Sequence, residues 1–296
     1  VDQQRRELQT PDGRRLVFNL AGPSSGPLVV FHTGTPGSPW LFPAMIEDCA
    51  KRGLRLVCVA RPGYGGSDRL SGRCHADASV DTALVADLLD AETFFVAGHS
   101  GGGGPALADA ARLPDRTRAV AVSASFAPRP QMGPSWWDGL DLANGKELEA
   151  LQKGEPALRE LLEEWAGAMR QIESGEQITA DPDFSRYYSR VDRECLTGEY
   201  LETVVEAYPL SVSHGVDGWL DDDFALFGEW GFPLAEVAAP VTIWQGGRDN
   251  LTPVAHGEWL AAHVPGARLR LLPEEGHVSL LNRNFGAMLD ELIELG

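Results

Sequence analysis

Ser100 lies in FFVAGHSGGGGP (94–105), where an apolar run ends in Gly98-His99-Ser100-Gly101-Gly102 and a helix has to begin at once. That spacing matches G-x-S-x-G, a tight strand-to-helix turn that holds a serine in a strained conformation with its hydroxyl open for nucleophilic attack. A side chain at Gly98 or Gly102 would collide across such a turn. Gly101 through Gly104 are poor helix starters, each roughly 1 kcal/mol worse than Ala inside a helix. A chain tolerates them where backbone N–H groups must stay accessible, and a helix N-terminus favours developing negative charge. Pro105 is acceptable in a first turn, where its missing N–H costs nothing. A phosphate-binding loop would use the same glycines, but no Walker lysine follows and no G-x-G-x-x-G opens the first strand–helix unit.

A nucleophilic serine needs a base, and the base needs a carboxylate to orient it. Of the seven histidines, His277 stands out, because LRLLPEEGHVSLL places it in the loop between the last strand and the closing helix. His99, adjacent to Ser100, is expected to point elsewhere; His256 and His263 read as helical and surface-facing, and His214 falls in the inserted segment 128–230. For the acid, Asp249 in VTIWQGGRDNLTP directly follows a buried strand, on the rim that also carries Ser100 and His277. A turn or N-cap before Pro253 is the ordinary use of such an aspartate. Asp222 and Asp223 are acidic alternatives in a run that reads as a solvated face.

Acyl transfer also needs donors for an oxyanion. FHTGTPGSPW follows the first apolar strand, its glycines let the backbone approach a substrate oxygen, and Thr35 is biased to an extended conformation by Pro36. The expected donors are the backbone N–H groups of Thr35 and Gly101. Losing one such donor typically costs about 100- to 1,000-fold in turnover.

The elements that must hold these residues are legible as alternating runs. PLVVFH (27–32), LRLVCVA (54–60), TFFVAG (93–98) and RAVAVSAS (118–125) are nearly continuous apolar stretches suited to parallel strands covered on both faces. Segments 39–52, 79–90 and 103–112 between them read as helices, which implies right-handed crossovers and an α/β, doubly wound, mostly parallel sheet. From Pro128 to Trp230 no buried strand is read; ELEALQKG, EPALRELLEEWAGAMRQIE and EYLETVVEAY have helical periodicity with acidic faces. The alternation resumes with a strand at 240–247, a helix at 253–264, a strand at 267–273 and a closing helix. The expected organisation is a core of 1–127 and 231–296 interrupted by a helical cap, or lid, of 128–230.

Composition bounds the partners. Forty-three acidic residues against 25 basic ones give a net charge of −18, which repels phosphate backbones and argues against nucleic acid. No apolar run is long enough to span a bilayer, and VDQQRRELQTPDG shows no signal-peptide pattern. Cys49, Cys58, Cys74 and Cys195 form no CxxC pair or metal-like grouping, so no metal is expected, Cys58 reads as a core residue, and a reduced cytoplasmic setting fits best. Trp136 and Trp137, where the chain enters the cap, and Trp165 and Trp219 within it, are candidates either to wall an apolar substrate pocket or simply to pack the cap on the core.

The chain resembles the α/β-hydrolase superfamily over nearly its whole length, on GHSGGG (98–103), RPGYGGSD (61–68), WQGGRDNLTP (244–253), PEEGHVSLL (273–281) and HTGTPGS (32–38). The order Ser…Asp…His is that family's. HTGTPGS is similar to its H-G-x-P oxyanion loop with one extra residue, which displaces His32. The resemblance implies a cofactor-free serine hydrolase acting on a small-molecule ester or amide through Ser100, Asp249 and His277. The helical cap is similar to that of proline iminopeptidases and small esterases, although the peptidases usually carry HGGPG and GGSWG where this chain has HTGTPGS and GHSGGG. The dehalogenases and epoxide hydrolases of the fold use an Asp nucleophile, against which Ser100 argues. A lyase or cofactor-free perhydrolase on the same triad, and a non-catalytic ligand receptor, are the other functions the resemblance admits.

Overall fold

The computed structural model describes residues 3–140, 142–181 and 184–296; positions 141, 182 and 183 of the expected cap lie outside the described residues. Eight strands form one sheet: β1 (Gln4–Gln9), β2 (Arg15–Ala21), β3 (Leu28–His32), β4 (Arg55–Val59), β5 (Phe94–His99), β6 (Thr117–Ser123), β7 (Val241–Gly246) and β8 (Arg268–Leu272). Their order is β1-β2-β4-β3-β5-β6-β7-β8. From β4 to β8 neighbours pair in parallel, while β1 pairs antiparallel with β2 and β2 with β4. The six apolar runs are the six parallel strands. Both antiparallel strands escape the sequence reading: β1, QRRELQ, carries its charges on an exposed edge with no apolar run to betray it, whereas β2, RLVFNLA, has a short buried run that the reading omits.

Alternation along β5 shows why the central strands are apolar throughout. Phe94 and Val96 enter one core layer with residues of α2 (Ala78–Leu88), α3 (Gly103–Arg112) and α12 (Val254–His263). Phe95 and Ala97 enter the other, with α1 (Pro43–Lys51) and α13 (His277–Leu295). Cys58 is fully buried in that second layer. A side chain of period two in a strand covered on both faces leaves no position for a charge.

Between β6 and β7 the described residues form only helices: α4 (Arg129–Met132), α5 (Leu142–Lys153), α6 (Glu155–Arg170), α7 (Gly175–Thr179), α8 (Phe184–Tyr187), α9 (Arg190–Cys195), α10 (Gly198–Ser211) and α11 (Asp217–Phe227), with short 3₁₀ turns at Gly133–Trp137 and Leu234–Glu236. The period seen in EPALRELLEEWAGAM places Leu158, Leu162 and Ala166 on the buried face of α6. They pack with Val212, Val216, Trp219 and Leu220 against Tyr64 of the core. A second cluster joins Ile178, Cys195, Leu196 and Val204 to Val278 of α13. No helix among the described residues is long and apolar enough to cross a membrane.

Candidate active site

Ser100, Thr35, Asp249 and His277 all lie just beyond the carboxyl ends of parallel strands, where open α/β sheets present their ligand crevice. Ser100 has φ 55°, a left-handed conformation that non-glycine residues rarely adopt. The turn that imposes it leaves no space for side chains: a Cβ at Gly98 would strike the Gly102 carbonyl, and one at Gly102 the His32 carbonyl. Gly34 is packed on the serine itself, so that a Cβ there would stand 3.2 Å from Ser100 Cβ and 3.6 Å from its Oγ.

Thr35 is set beside the elbow in the same way. A Cβ on Gly101 would collide with Thr35 Oγ1 and stand 3.2 Å from Thr35 N. The loop is held from beneath by Arg61, whose guanidinium donates to the carbonyls of Thr33 (2.6 Å) and Gly34 (2.8 Å). Arg61 in turn is fixed by Asp222 of α11 at 2.6 Å. The same carboxylate accepts from Arg73 (2.6 Å), Tyr64 Oη (3.0 Å) and Thr35 Oγ1 (2.8 Å). Burial alone would push the Asp222 carboxyl's pKa up; the Arg61 and Arg73 charges outweigh that and hold it well below the usual carboxylate range.

The Asp249 side chain is fully enclosed. Its Oδ1 accepts the backbone N–H groups of Leu251 and Thr252, both at 2.8 Å, and its Oδ2 meets His277 Nδ1 at 2.9 Å. The turn that the sequence allows for this aspartate and its contact with the histidine therefore coexist, one on each carboxylate oxygen. His277 is the first residue of α13 rather than a residue of the preceding loop. With a carboxylate at Nδ1, the imidazole carries its proton there, and Nε2 is the nitrogen able to take a proton from an alcohol.

Two other histidines, His99 and His256, depart from expectation, while His32 is displaced as expected. His99 does not point away: its ring centroid lies 4.7 Å from that of His277, with Nδ1 3.0 Å from Ser123 Oγ. Burial, and then the proximity of His277, depress its pKa well below the ordinary value, so it stands beside His277 as a neutral ring. His256 is helical but fully buried, not surface-facing; its Nδ1 accepts the Ala127 N–H at 3.1 Å, and burial lowers its pKa to about 4. His32, displaced from the site, sits 2.8 Å from Asp109 in the core. His263 and His214 are exposed, the latter between α10 and α11.

Asp222 and Asp223 correct the largest misreading, for both are buried. Successive residues on a helix step by about 100°, so the three aspartates of WLDDDF cannot share one solvated face. Asp221 goes to Arg69 at 2.8 Å and Asp222 to Arg61 and Arg73. Burial, then the nearby Glu147 and Asp222, push the Asp223 carboxyl well above the usual carboxylate range. The apolar residues flanking the run, Trp219, Leu220 and Ala225 to Phe227, were the available signal.

The tryptophans divide. Trp136 is fully buried, donates to the Ala127 carbonyl at 2.6 Å and packs on Phe126, Phe227 and His256, so it joins insertion to core rather than walling a pocket. Trp219 donates to Glu147 at 3.0 Å and lies 5.9 Å from Trp165, again inside the insertion's packing. Trp137 is 37% exposed, with the Arg129 guanidinium 5.5 Å from its ring centre.

Residues 27–283 match the profile of the alpha/beta hydrolase fold family, and the chain belongs to that family. It is 24% identical over 269 residues to a 2-hydroxy-6-oxononadienedioate/2-hydroxy-6-oxononatrienedioate hydrolase of Cupriavidus pinatubonensis, covering 89% of this chain and 84% of that one. A bifunctional esterase/perhydrolase of Acinetobacter calcoaceticus is 32% identical over a shorter stretch, 41% of this chain and 44% of its own. Among solved structures, an esterase from Exiguobacterium antarcticum superposes with a TM-score of 0.71 at 18% identity, over 98% of this chain and all of that one.

Proposed function

We propose that the protein is a serine hydrolase that cleaves an ester, or less readily an amide, of a small and partly apolar substrate through an acyl-enzyme on Ser100. The observation that carries this reading is the Asp249–His277 contact of 2.9 Å, set on the same rim as a serine strained to φ 55°. His277 Nε2 takes the serine proton as Oγ attacks the carbonyl carbon. Asp249 holds the tautomer and stabilises the imidazolium that forms. The backbone N–H groups of Thr35 and Gly101 receive the oxyanion, and His277 then returns the proton to the leaving group. Water, activated by the same imidazole, hydrolyses the acyl-enzyme.

Residues 128–230 serve as the lid, with the part-exposed Trp137 offering a face to an acyl chain. The hydrolase and esterase relatives support acyl chemistry without naming this chain's substrate. A second reading follows from the esterase/perhydrolase relative: hydrogen peroxide in place of water would release a peracid from the same acyl-enzyme.

The test is a fluorophosphonate probe followed by a panel of p-nitrophenyl esters beside aminoacyl naphthylamides, the prolyl derivative included. Wild type should label and cleave esters, and Ser100→Ala should do neither. Undiminished labelling of that variant would sink the assignment, and turnover of the prolyl amide alone would transfer it to an iminopeptidase. Peroxide-dependent halogenation in the presence of a carboxylic acid would support the perhydrolase reading.

A further inference from the structure

Helix α13 begins with His277, and its N-cap position is Gly276, which has no side chain with which to satisfy the first-turn N–H groups. Those groups are capped from elsewhere in the chain. Asp192, in α9 of the helical insertion, is fully buried and turns its carboxylate onto them. Its Oδ2 accepts from His277 N at 3.1 Å, and its Oδ1 from Val278 N at 2.8 Å and Ser279 N at 2.9 Å. Ser189 supports it from the other side, with its hydroxyl at 2.6 Å and its backbone N–H at 3.3 Å. Gly276 is what permits the approach, because a Cβ there would run into both Ser189 Oγ and the Asp192 carboxylate.

We propose that Asp192 is a positioning residue for His277, so that docking of the insertion onto α13 and placement of the base are one event. This rests on the reading of His277 as the base. The backbone nitrogen of the base is itself a ligand of the carboxylate, so a shift of Asp192 moves the Cα from which the imidazole hangs. Two further consequences follow from the charge. An anion at a helix N-terminus offsets the positive end of the helix dipole, and it favours the protonated form of a nearby imidazole. The other groups facing the imidazole are Asp249 from the acid loop and His99 from the elbow. Asp192 itself is faced by Tyr188, Cys195 and Tyr200, with Glu275 and Arg283 acting on Cys195.

The experiment compares wild type with Asp192→Asn, Asp192→Ala and Ser189→Ala, using p-nitrophenyl butyrate kinetics, the rate of fluorophosphonate labelling, and NMR of the protein labelled at its histidine imidazoles. His277→Ala identifies the His277 resonance. Asp192→Asn keeps an acceptor for the backbone but loses the charge, so kcat should fall about tenfold with KM within twofold, and the acid limb and the His277 midpoint should move down by about half a pH unit. Asp192→Ala should lose about 100-fold in kcat, as for a base displaced by an ångström. Ser189→Ala should fall between wild type and Asp192→Asn. If Asp192→Asn only lowers the melting temperature, with labelling rate and His277 midpoint at wild-type values, Asp192 is a structural cap and the proposal is overturned. The NMR midpoint is read whether or not an ester is turned over. Failure of Ser100→Ala or His277→Ala to abolish labelling would instead overturn the triad, a distinct result.

Discussion

Replacing Asp222 by Ala would leave Arg61 and Arg73, each with a side chain only 4% exposed, facing one another in the interior without the carboxylate they share. Removing one partner of a buried ion pair typically costs about 3–5 kcal/mol, because the remaining charge is uncompensated. Here two guanidiniums are stranded, and Tyr64 Oη and Thr35 Oγ1 lose an acceptor as well, so the loss should fall in the upper part of that range. Against a total stability of about 5–15 kcal/mol for a folded domain, this is a large fraction. Urea unfolding followed by tryptophan fluorescence measures it. Function should suffer separately, because Arg61 also holds the carbonyls of Thr33 and Gly34; fluorophosphonate labelling of the folded fraction should slow by about tenfold or more. The triple replacement Arg61→Met, Arg73→Met, Asp222→Leu should restore stability, since well-packed apolar groups often match a buried pair. It should not restore labelling. A stability loss under about 1 kcal/mol for Asp222→Ala, the size expected of an exposed pair, would refute the reasoning.

Asp249→Asn should reduce turnover by roughly 10⁴-fold if that residue orients the base, as steady-state ester kinetics would read; a loss below tenfold would assign the orienting role to another carboxylate. Trp136→Ala should cost about 3–5 kcal/mol in urea unfolding, in keeping with a fully buried indole. Trp137→Ala should cost under about 1 kcal/mol and alter the acyl chain-length preference; an unchanged preference would make it a packing residue too. His75 is buried, and burial depresses its pKa to about 3. Below about pH 6.5 the unfolded chain takes up a proton that native His75 refuses, so stability falls as the pH drops from there toward 3. Substituting Leu should narrow the gap in unfolding free energy between pH 7.5 and 5.0 by about 2 kcal/mol. Asp222 is shifted in the same direction, by the Arg61 and Arg73 charges rather than by burial: its stabilisation is present above the usual carboxylate pKa, near 4, and is lost as the pH falls below it.

Much of this site was legible because local chemistry dictates it. Ser100 between Gly98 and Gly102 needs no long-range information to be read as a strained turn, and six apolar runs of strand length sufficed for the parallel part of the sheet. Asp249 and His277 were readable as loop positions following strands, since strand ends share a rim in a parallel sheet. The misreadings were of another kind. Reading Asp222 and Asp223 as a solvated face fails because charge implies exposure unless a partner is known, and the partners of Asp222, Arg61 and Arg73, lie some 150–160 positions earlier in the chain. Reading His256 as a surface residue fails on the same ground, its acceptor role toward Ala127 being similarly remote.

The sequence by itself determined the strained turn at Ser100, the strand–helix alternation and the order in which serine, aspartate and histidine arrive at the rim. Each depends on backbone sterics or on hydrophobic period within about a dozen residues. Only the tertiary structure decided how the two backbone-dependent parts are held: the loop carrying Thr33 to Thr35 by Asp222 through Arg61, and the first turn of α13 by Asp192. Both aspartates come from the helical insertion. A buried carboxylate is stable only where its donors converge on it, and that convergence is a property of packing, which no local pattern records.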